Sequence, residues 1–314
     1  METRTLGSSG LRVSRLGLGT MTWGRDTDEI EAAEQLRAFL DAGGNLIDTA
    51  AVYGDGDSER VIGGFLETLV PREQIILATK AGITSRANVR TVNTSRAALL
   101  GELDKSLGRL GVNEIDLWQV HTWDENIPLE ETLSALDYAV SSGRVRYVGV
   151  SNYSGWQLAR AATLQNPLFG KTNIISTQSE YSLLNRKVEE EVIPASIEMN
   201  IGFLAWSPLG RGVLTGKYRN GVPSDSRGAS AHFASFVSPY LDGKSKKIVD
   251  AVCVASEGLG FSPLEVALSW VRDSYGVSSA IVGARTAAQL RGALTVEEIT
   301  LPDQVRAALD EISI

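Results

Sequence analysis

From Arg15 onward, short apolar runs alternate with longer segments whose apolar residues recur at helical spacing. The runs are Arg15–Thr20, Asn45–Ile47, Ile75–Thr79, Glu114–Val120, Tyr147–Val150, Ile174–Thr177, Gly202–Ala205 and Ser279–Val282. Helices are predicted at Thr27–Ala42, Ser58–Leu69, Thr94–Leu110, Leu129–Ser142, Gly155–Gln165, Val188–Met199, Gly243–Glu257, Pro263–Arg272 and Thr286–Leu294, with a last one at Pro302–Ile312. In the first of these Ile30, Ala33, Leu36, Phe39 and Leu40 share the helical period, and Gly43-Gly44 stops it. Ser58 reads as the cap of the second. Eight strand–helix units without a linker close naturally into a (β/α)8 barrel, so the chain is read as one α/β domain over residues 1–314. A doubly wound open sheet would prefer Gly-x-Gly-x-x-Gly after its first strand; here Gly17-Leu18-Gly19 is followed by Thr20-Met21-Thr22, without the third glycine. Ahead of the barrel, residues 2–6 and 11–15 flank Gly7-Ser8-Ser9-Gly10 and read as a hairpin.

Composition narrows the partners. The net charge of −8 disfavours nucleic acid and anionic membrane surfaces. No apolar run approaches the length of a membrane span, and the amino-terminal residues lack the apolar core of a signal peptide. Cys253 is the one cysteine and cannot form an internal disulfide, which fits a reducing, cytoplasmic setting. Two histidines and one cysteine offer no metal set, and no Gly-x-Ser-x-Gly elbow surrounds a strand-end serine.

In a barrel the carboxyl ends of the strands share one face, and catalytic residues gather there. Consecutive strand ends offer Asp48 with Tyr53, then Lys80, then His121. A phenol titrates near pH 10 and is a poor acid at neutral pH. An adjacent ammonium favours the phenolate, so Lys80 is expected to lower the pKa of Tyr53, with Asp48 as its counter-ion. A neutral His121 can donate a hydrogen bond to a substrate carbonyl. These groups move a proton and polarise a carbonyl; a hydride must come from elsewhere. The other strand ends offer Gly19, Thr20 and Met21, Ser151-Asn152, Gln178, and Gly283-Ala284-Arg285-Thr286 with Gln289. A loop rich in Gly, Ser and Pro runs from about Ser207 to Pro239, and such loops are usually functional. Its start, Trp206-Ser207-Pro208-Leu209-Gly210-Arg211-Gly212-Val213-Leu214-Thr215-Gly216-Lys217, combines a stacking ring, glycines that let amides approach an anion, and a cation. Ser151, Asn152 and Gln178 supply the donors and acceptors a carboxamide needs. Arg285, at the start of a helix with no acid between Gly283 and Val296, is expected to favour a ribose 2′-phosphate. Met21, Trp23, Trp123 and the 219–240 loop are expected to shape the substrate pocket.

Taken together, D-T-A-A-V-Y-G-D-G-D-S-E with Lys80 and His121, V-S-N at 150–152, S-P-L-G-R-G-V-L-T-G-K-Y and I-V-G-A-R-T resemble the aldo-keto reductase family over nearly the whole chain. The resemblance implies a barrel that binds NADP(H), a catalytic tetrad of Asp48, Tyr53, Lys80 and His121, and reduction of a small-molecule aldehyde or ketone. The chain is more similar to the branch of bacterial reductases and potassium-channel β subunits, where the alternative role is a cofactor-sensing regulatory subunit with slow chemistry. It departs from the family in having Trp206 where many members have Tyr or Phe, and Arg291-Gly292-Ala293 where an acid–amide pair often lies near the adenine.

Overall fold

A computed structural model describes residues 1–86, 89–224, 226–230 and 232–314. An antiparallel hairpin, β1 (Thr3–Thr5) and β2 (Arg12–Ser14), precedes the barrel. Strand β3 (Leu16–Gly19) leads to helix α1 (Glu29–Asp41) and β4 (Leu46–Asp48) to α2 (Asp57–Thr68). Strand β5 (Ile76–Ala81) runs through a second hairpin, β6 (Ile83–Arg86) and β7 (Val89–Val92), to α3 (Arg96–Leu110). Then β8 (Ile115–Val120) leads to α4 (Leu129–Ser141), β9 (Val145–Ser151) to α5 (Gly155–Leu164), and β10 (Ile174–Glu180) to α6 (Val192–Glu198). After β11 (Gly202–Trp206) the long loop carries α7 (Ala234–Val237) before α8 (Gly243–Leu259) and α9 (Pro263–Arg272). Strand β12 (Val277–Val282) leads to α10 (Ala287–Leu294) and α11 (Asp303–Ser313).

The barrel closes in the order β3-β4-β5-β8-β9-β10-β11-β12, every pair parallel, with Ala280 and Ile281 of β12 opposite Leu16 and Gly17 of β3. The amino-terminal hairpin plugs one end. Leu6 and Val13 are fully buried against Leu46, Ala78, Leu117, Ile175, Leu204 and Ile281 from six barrel strands. Its turn needs Gly7, whose φ is +56° and whose missing Cβ would meet the Ile175 carbonyl at 2.5 Å. A second, larger cluster packs the strands' outer faces against the helices.

Most strands extend past their apolar centres. β5 includes Lys80 and Ala81, and β10 runs on to Glu180. Their polar ends face a shared mouth yet stay in the backbone ladder, so the apolar pattern marks only each strand's middle. Helix α1 buries Ala32, Gln35, Leu36 and Phe39, whereas Ile30, expected on the inner face, is 76% exposed. Gln35 can face inward because its amide oxygen accepts the Trp23 indole N–H at 3.1 Å. The predicted Val188–Met199 helix is regular only from Val192, after a 3-10 turn at Lys187–Glu189; Pro194, lacking an N–H, fits its first turn. Ser58 does not cap α2: Gly56 does, at φ +94°, and Ser58 lies buried inside the first turn. The β6–β7 hairpin has no counterpart in the sequence reading, because its outer strand is exposed along its length and carries no apolar alternation. Among the described residues no single helix is long and apolar enough to cross a membrane.

Candidate active site

Side chains alternate along a strand. Leu46, Ala78 and Leu117 belong to the plugged end of the barrel; two residues further on come Asp48, Lys80 and Gln119, all buried. The mouth is therefore floored with polar groups held by a rigid ladder. Lys80 Nζ donates to both carboxylate oxygens of Asp48 at 2.8 and 2.7 Å and to the Thr49 carbonyl at 3.0 Å. Gln178 Nε2 donates to the same Asp48 at 2.8 Å. Burial pushes the Lys80 pKa down, but the Asp48 carboxylate and Tyr53 outweigh it, so the ammonium is held charged.

Tyr53 opens the 3-10 turn Tyr53–Gly56. Lys80 Nζ lies 5.5 Å from the centre of its ring, and the His121 ring meets it edge-on at 6.1 Å and 82°. Lys80 does lower the Tyr53 pKa as expected, but it does not decide the net shift. Burial raises it, Lys80 lowers it and Asp48 raises it again, and the net shift is upward. Burial is the largest of these effects and, with the Asp48 charge added, it outweighs the pull of the ammonium. Tyr53 is thus a phenol, with its proton in place, at neutral pH. Burial and the charges of Lys80 and Arg90 hold His121 well below the usual imidazole range, so it is neutral. Its Nδ1 is buried without a partner, which leaves Nε2 as the nitrogen open to the mouth.

A buried network under this group went unread in the sequence. The Ser58 hydroxyl lies 2.8 Å from Thr20 Oγ1 and 2.9 Å from Thr49 Oγ1, and donates to the Thr20 carbonyl at 2.9 Å. Glu59, fully buried, accepts from Thr79 Oγ1 at 2.6 Å and from Arg109 Nε at 2.6 Å. Together these groups fix the ends of β3, β4 and β5 against α2 and α3. The S-E dipeptide after the glycines was the available signal, since such residues in a first turn are ordinarily exposed.

Ser151, Asn152 and Gln178 come together as expected, but much of their bonding is spent on one another and on neighbours. Ser151 Oγ donates to the Gln178 carbonyl at 2.9 Å, and Asn152 Nδ2 to the His121 carbonyl at 2.9 Å. Gln178 Oε1 accepts no hydrogen bond from the described residues. The Trp206 indole N–H donates to Asn152 Oδ1 at 3.0 Å, which fixes the ring plane, and the ring runs parallel to Phe236 at 6.4 Å and 18°.

Several expected contacts take other places. Leu214 is fully buried in the apolar core, and Pro208 is buried as well. The amides of Gly210, Gly212, Leu214 and Gly216 donate to carbonyls within their own turn, so they are not free for an anion. The three glycines serve instead the left-handed backbone, at φ +54°, +91° and +78°. Ser207, also left-handed at φ +52°, turns the chain, and Leu209 packs against the core. Lys217 Nζ lies 3.4 Å from the Cβ position of Gly212. Gly19 has no room for a side chain, since a Cβ would meet Ile281 at 2.9 Å. Thr20 is consumed by the network with Ser58, while Met21 is half-buried at the end of β3. Trp23 is not in the substrate pocket: it is fully buried, edge-on to Phe65 at 5.9 Å, because Gln35 satisfies its N–H inside the core. Trp123 is half-buried beside His121 and packs edge-on against Tyr153 and Trp156 at 5.2 and 5.4 Å.

The amino end of α10 also differs. Thr286 caps it by accepting from Gln289 N at 3.2 Å, and Gln289 Oε1 accepts from Arg285 N at 3.1 Å. Glu31, from α1, accepts from Ala287 N at 2.7 Å. An acid from outside the stretch therefore occupies the helix end expected to hold a phosphate, and Arg291 is drawn to Glu34 at 3.6 Å. A cation the sequence did not mark stands instead beside Arg285. The long loop folds back so that Arg227 Nη2 lies 3.8 Å from the Cβ position of Gly283. Burial and the charges of Arg285 and Arg25 depress the pKa of Arg227, and no described carboxylate pairs with it. The same segment reaches Arg25, whose guanidinium is 2.6 Å from His232 Nε2 and 4.7 Å from the Phe233 ring centre. Asp225 and Ala231, within the 219–240 loop expected to shape the pocket, lie outside the described residues. An oriented indole, an open amide acceptor and two crowded guanidinium groups in one mouth fit a flat-ringed, phosphorylated cofactor.

The comparisons agree with this architecture. Residues 15–314 match the model of the aldo/keto reductase family. The chain is 35% identical to "Uncharacterized oxidoreductase YrpG" of Bacillus subtilis, covering 99% of this chain and 96% of that one. It is 33% identical to "L-glyceraldehyde 3-phosphate reductase" of Escherichia coli K12, over 99% and 92%. It is also 35% identical to "Probable voltage-gated potassium channel subunit beta" of Oryza sativa, over 90% and 87%. The eight-stranded barrel and its match over almost the whole chain make this protein a member of the aldo/keto reductase family, an oxidoreductase by descent.

Proposed function

We propose that the chain reduces aldehydes or ketones to alcohols with NADPH. The observation that carries this reading is the buried Asp48–Lys80 pair beneath a protonated Tyr53, with a neutral His121 edge-on to the phenol. NADPH, when bound, supplies the hydride for the carbonyl carbon. Tyr53 gives its proton to the developing alkoxide, and the Lys80 charge stabilises the phenolate left behind. Open at Nε2, His121 orients the substrate oxygen. Asp48 keeps Lys80 charged and Gln178 keeps Asp48 in place. Trp206, Gln178 Oε1 and the Arg227–Arg285 pair hold the nicotinamide, its carboxamide and the phosphates. A channel-type regulatory role would need only the binding half of this arrangement; the complete proton-donating half favours the enzyme.

NADPH oxidation followed against a panel of aldehydes, ketones and quinones tests the reading, and a panel without turnover overturns it. We also expect NADPH to bind roughly 10- to 100-fold more tightly than NADH, the range of one charge-assisted contact. Arg227→Gln and Arg285→Ala should each remove much of that ratio in cofactor titrations. Equal weakening of both cofactors would show that neither arginine reads the 2′-phosphate.

A further inference from the structure

Immediately after Lys80 the chain leaves the barrel. Gly82 turns it at φ +104°, and β6 and β7 rise from the rim as a two-stranded ribbon whose base is closed by Asn93 N donating to the Gly82 carbonyl at 3.0 Å. Strand β5 lies between β4 and β8. The ribbon therefore springs from the rim between the strand ends that carry Tyr53 and His121. Its register pairs Thr84 with Thr91 and Ser85 with Arg90. Thr84, Thr91 and Val92 line a cavity against Ala98, Glu102 and Lys105 of α3. Arg90 alternates with Thr91 along β7, on the ribbon that rises between the ends of β4 and β8.

Arg90 is exposed, and among the described residues its side chain makes no ion pair or hydrogen bond. Its charge nonetheless acts on both Tyr53 and His121. The catalytic chemistry above does not use it. A guanidinium beside a reaction site, with no partner among the described residues, offers a planar fork that matches a carboxylate or a phosphate.

We propose that Arg90 recruits the anionic end of the substrate, so that this enzyme prefers carbonyl compounds bearing a carboxylate or a phosphate. The proposal rests on the carbonyl-reductase reading and names its substrate class.

The test compares matched pairs: para-carboxybenzaldehyde with its methyl ester, and glyceraldehyde phosphate with glyceraldehyde. The readout is the ratio of kcat/KM, anionic over neutral, which cancels any general loss of activity in a variant. In the wild type the ratio should be about two- to fivefold, as for an exposed charge pair, carried by KM and declining as salt is raised. Arg90→Gln should bring the ratio close to unity and remove its salt dependence, Arg90→Lys should keep part of it, and Arg90→Glu should invert it. A preference in one pair alone identifies carboxylate or phosphate as the group read. A wild-type ratio near unity, or a ratio unchanged in Arg90→Gln, overturns the proposal while carbonyl reduction stands. If none of the four compounds is reduced, the reading of the site fails and this proposal with it.

Discussion

Tyr53→Phe is expected to lower turnover by ~10²–10⁴-fold, the usual worth of a positioned general acid, with NADPH affinity nearly unchanged. The substitution keeps the ring that meets His121 edge-on at 6.1 Å and removes only the group that carries the proton. Because burial raises the Tyr53 pKa, the donor stays protonated through neutral pH, and the rate of reduction should hold level there rather than fall as a weak acid titrates. Single-turnover rates and a cofactor titration separate the two effects. A Tyr53→Phe protein within about threefold of wild type, far short of that ~10²-fold floor, would remove Tyr53 from the role of acid.

Lys80→Met is expected to damage both chemistry and stability. Asp48 is 2% exposed and would keep Gln178 as its remaining side-chain donor. Breaking a buried pair by removing one partner costs about 3–5 kcal/mol, against a total stability of about 5–15 kcal/mol for a typical fold. The double variant Lys80→Met with Asp48→Asn should regain much of that stability, since the buried charge is gone, but not the turnover. Denaturant unfolding of the three proteins checks this; a single variant as stable as wild type would mean the carboxylate finds another partner. The pair also sets a pH window. The folded pKa of Lys80 is raised, so its contribution is fully present below the ordinary lysine value and is lost as pH climbs through the folded one.

The meeting of Asp48, Tyr53, Lys80 and His121 at one mouth was legible because each closes, or follows, an apolar run that marks a strand, and a barrel brings strand ends together whatever the loops do. The barrel itself was legible for the same reason. Trp23 was misread because distance from a strand end says nothing about which way a loop folds; only Gln35, on the next helix, turns the indole inward. Glu31 and Arg227 reach the α10 end from α1 and from the long loop. No local pattern announces such a meeting. The direction of the Tyr53 shift was also beyond a linear reading, because Lys80 and burial oppose each other and only the packed structure shows which wins.

The seam of the barrel has a consequence for synthesis. Residues 16 and 17 must pair with 280 and 281, and Arg4 of the plugging hairpin donates to the carbonyls of Arg272 and Val277 at 2.6 and 2.8 Å. A nascent chain therefore holds its first strand without a neighbour on one side until the last strand has emerged from the ribosome. Such long-range parallel pairing is intrinsically slow and leaves apolar edges uncovered in the interval. The growing polypeptide is thus most exposed to misassociation late in translation, and the hairpin can lock the closed end only after nearly the whole message has been read.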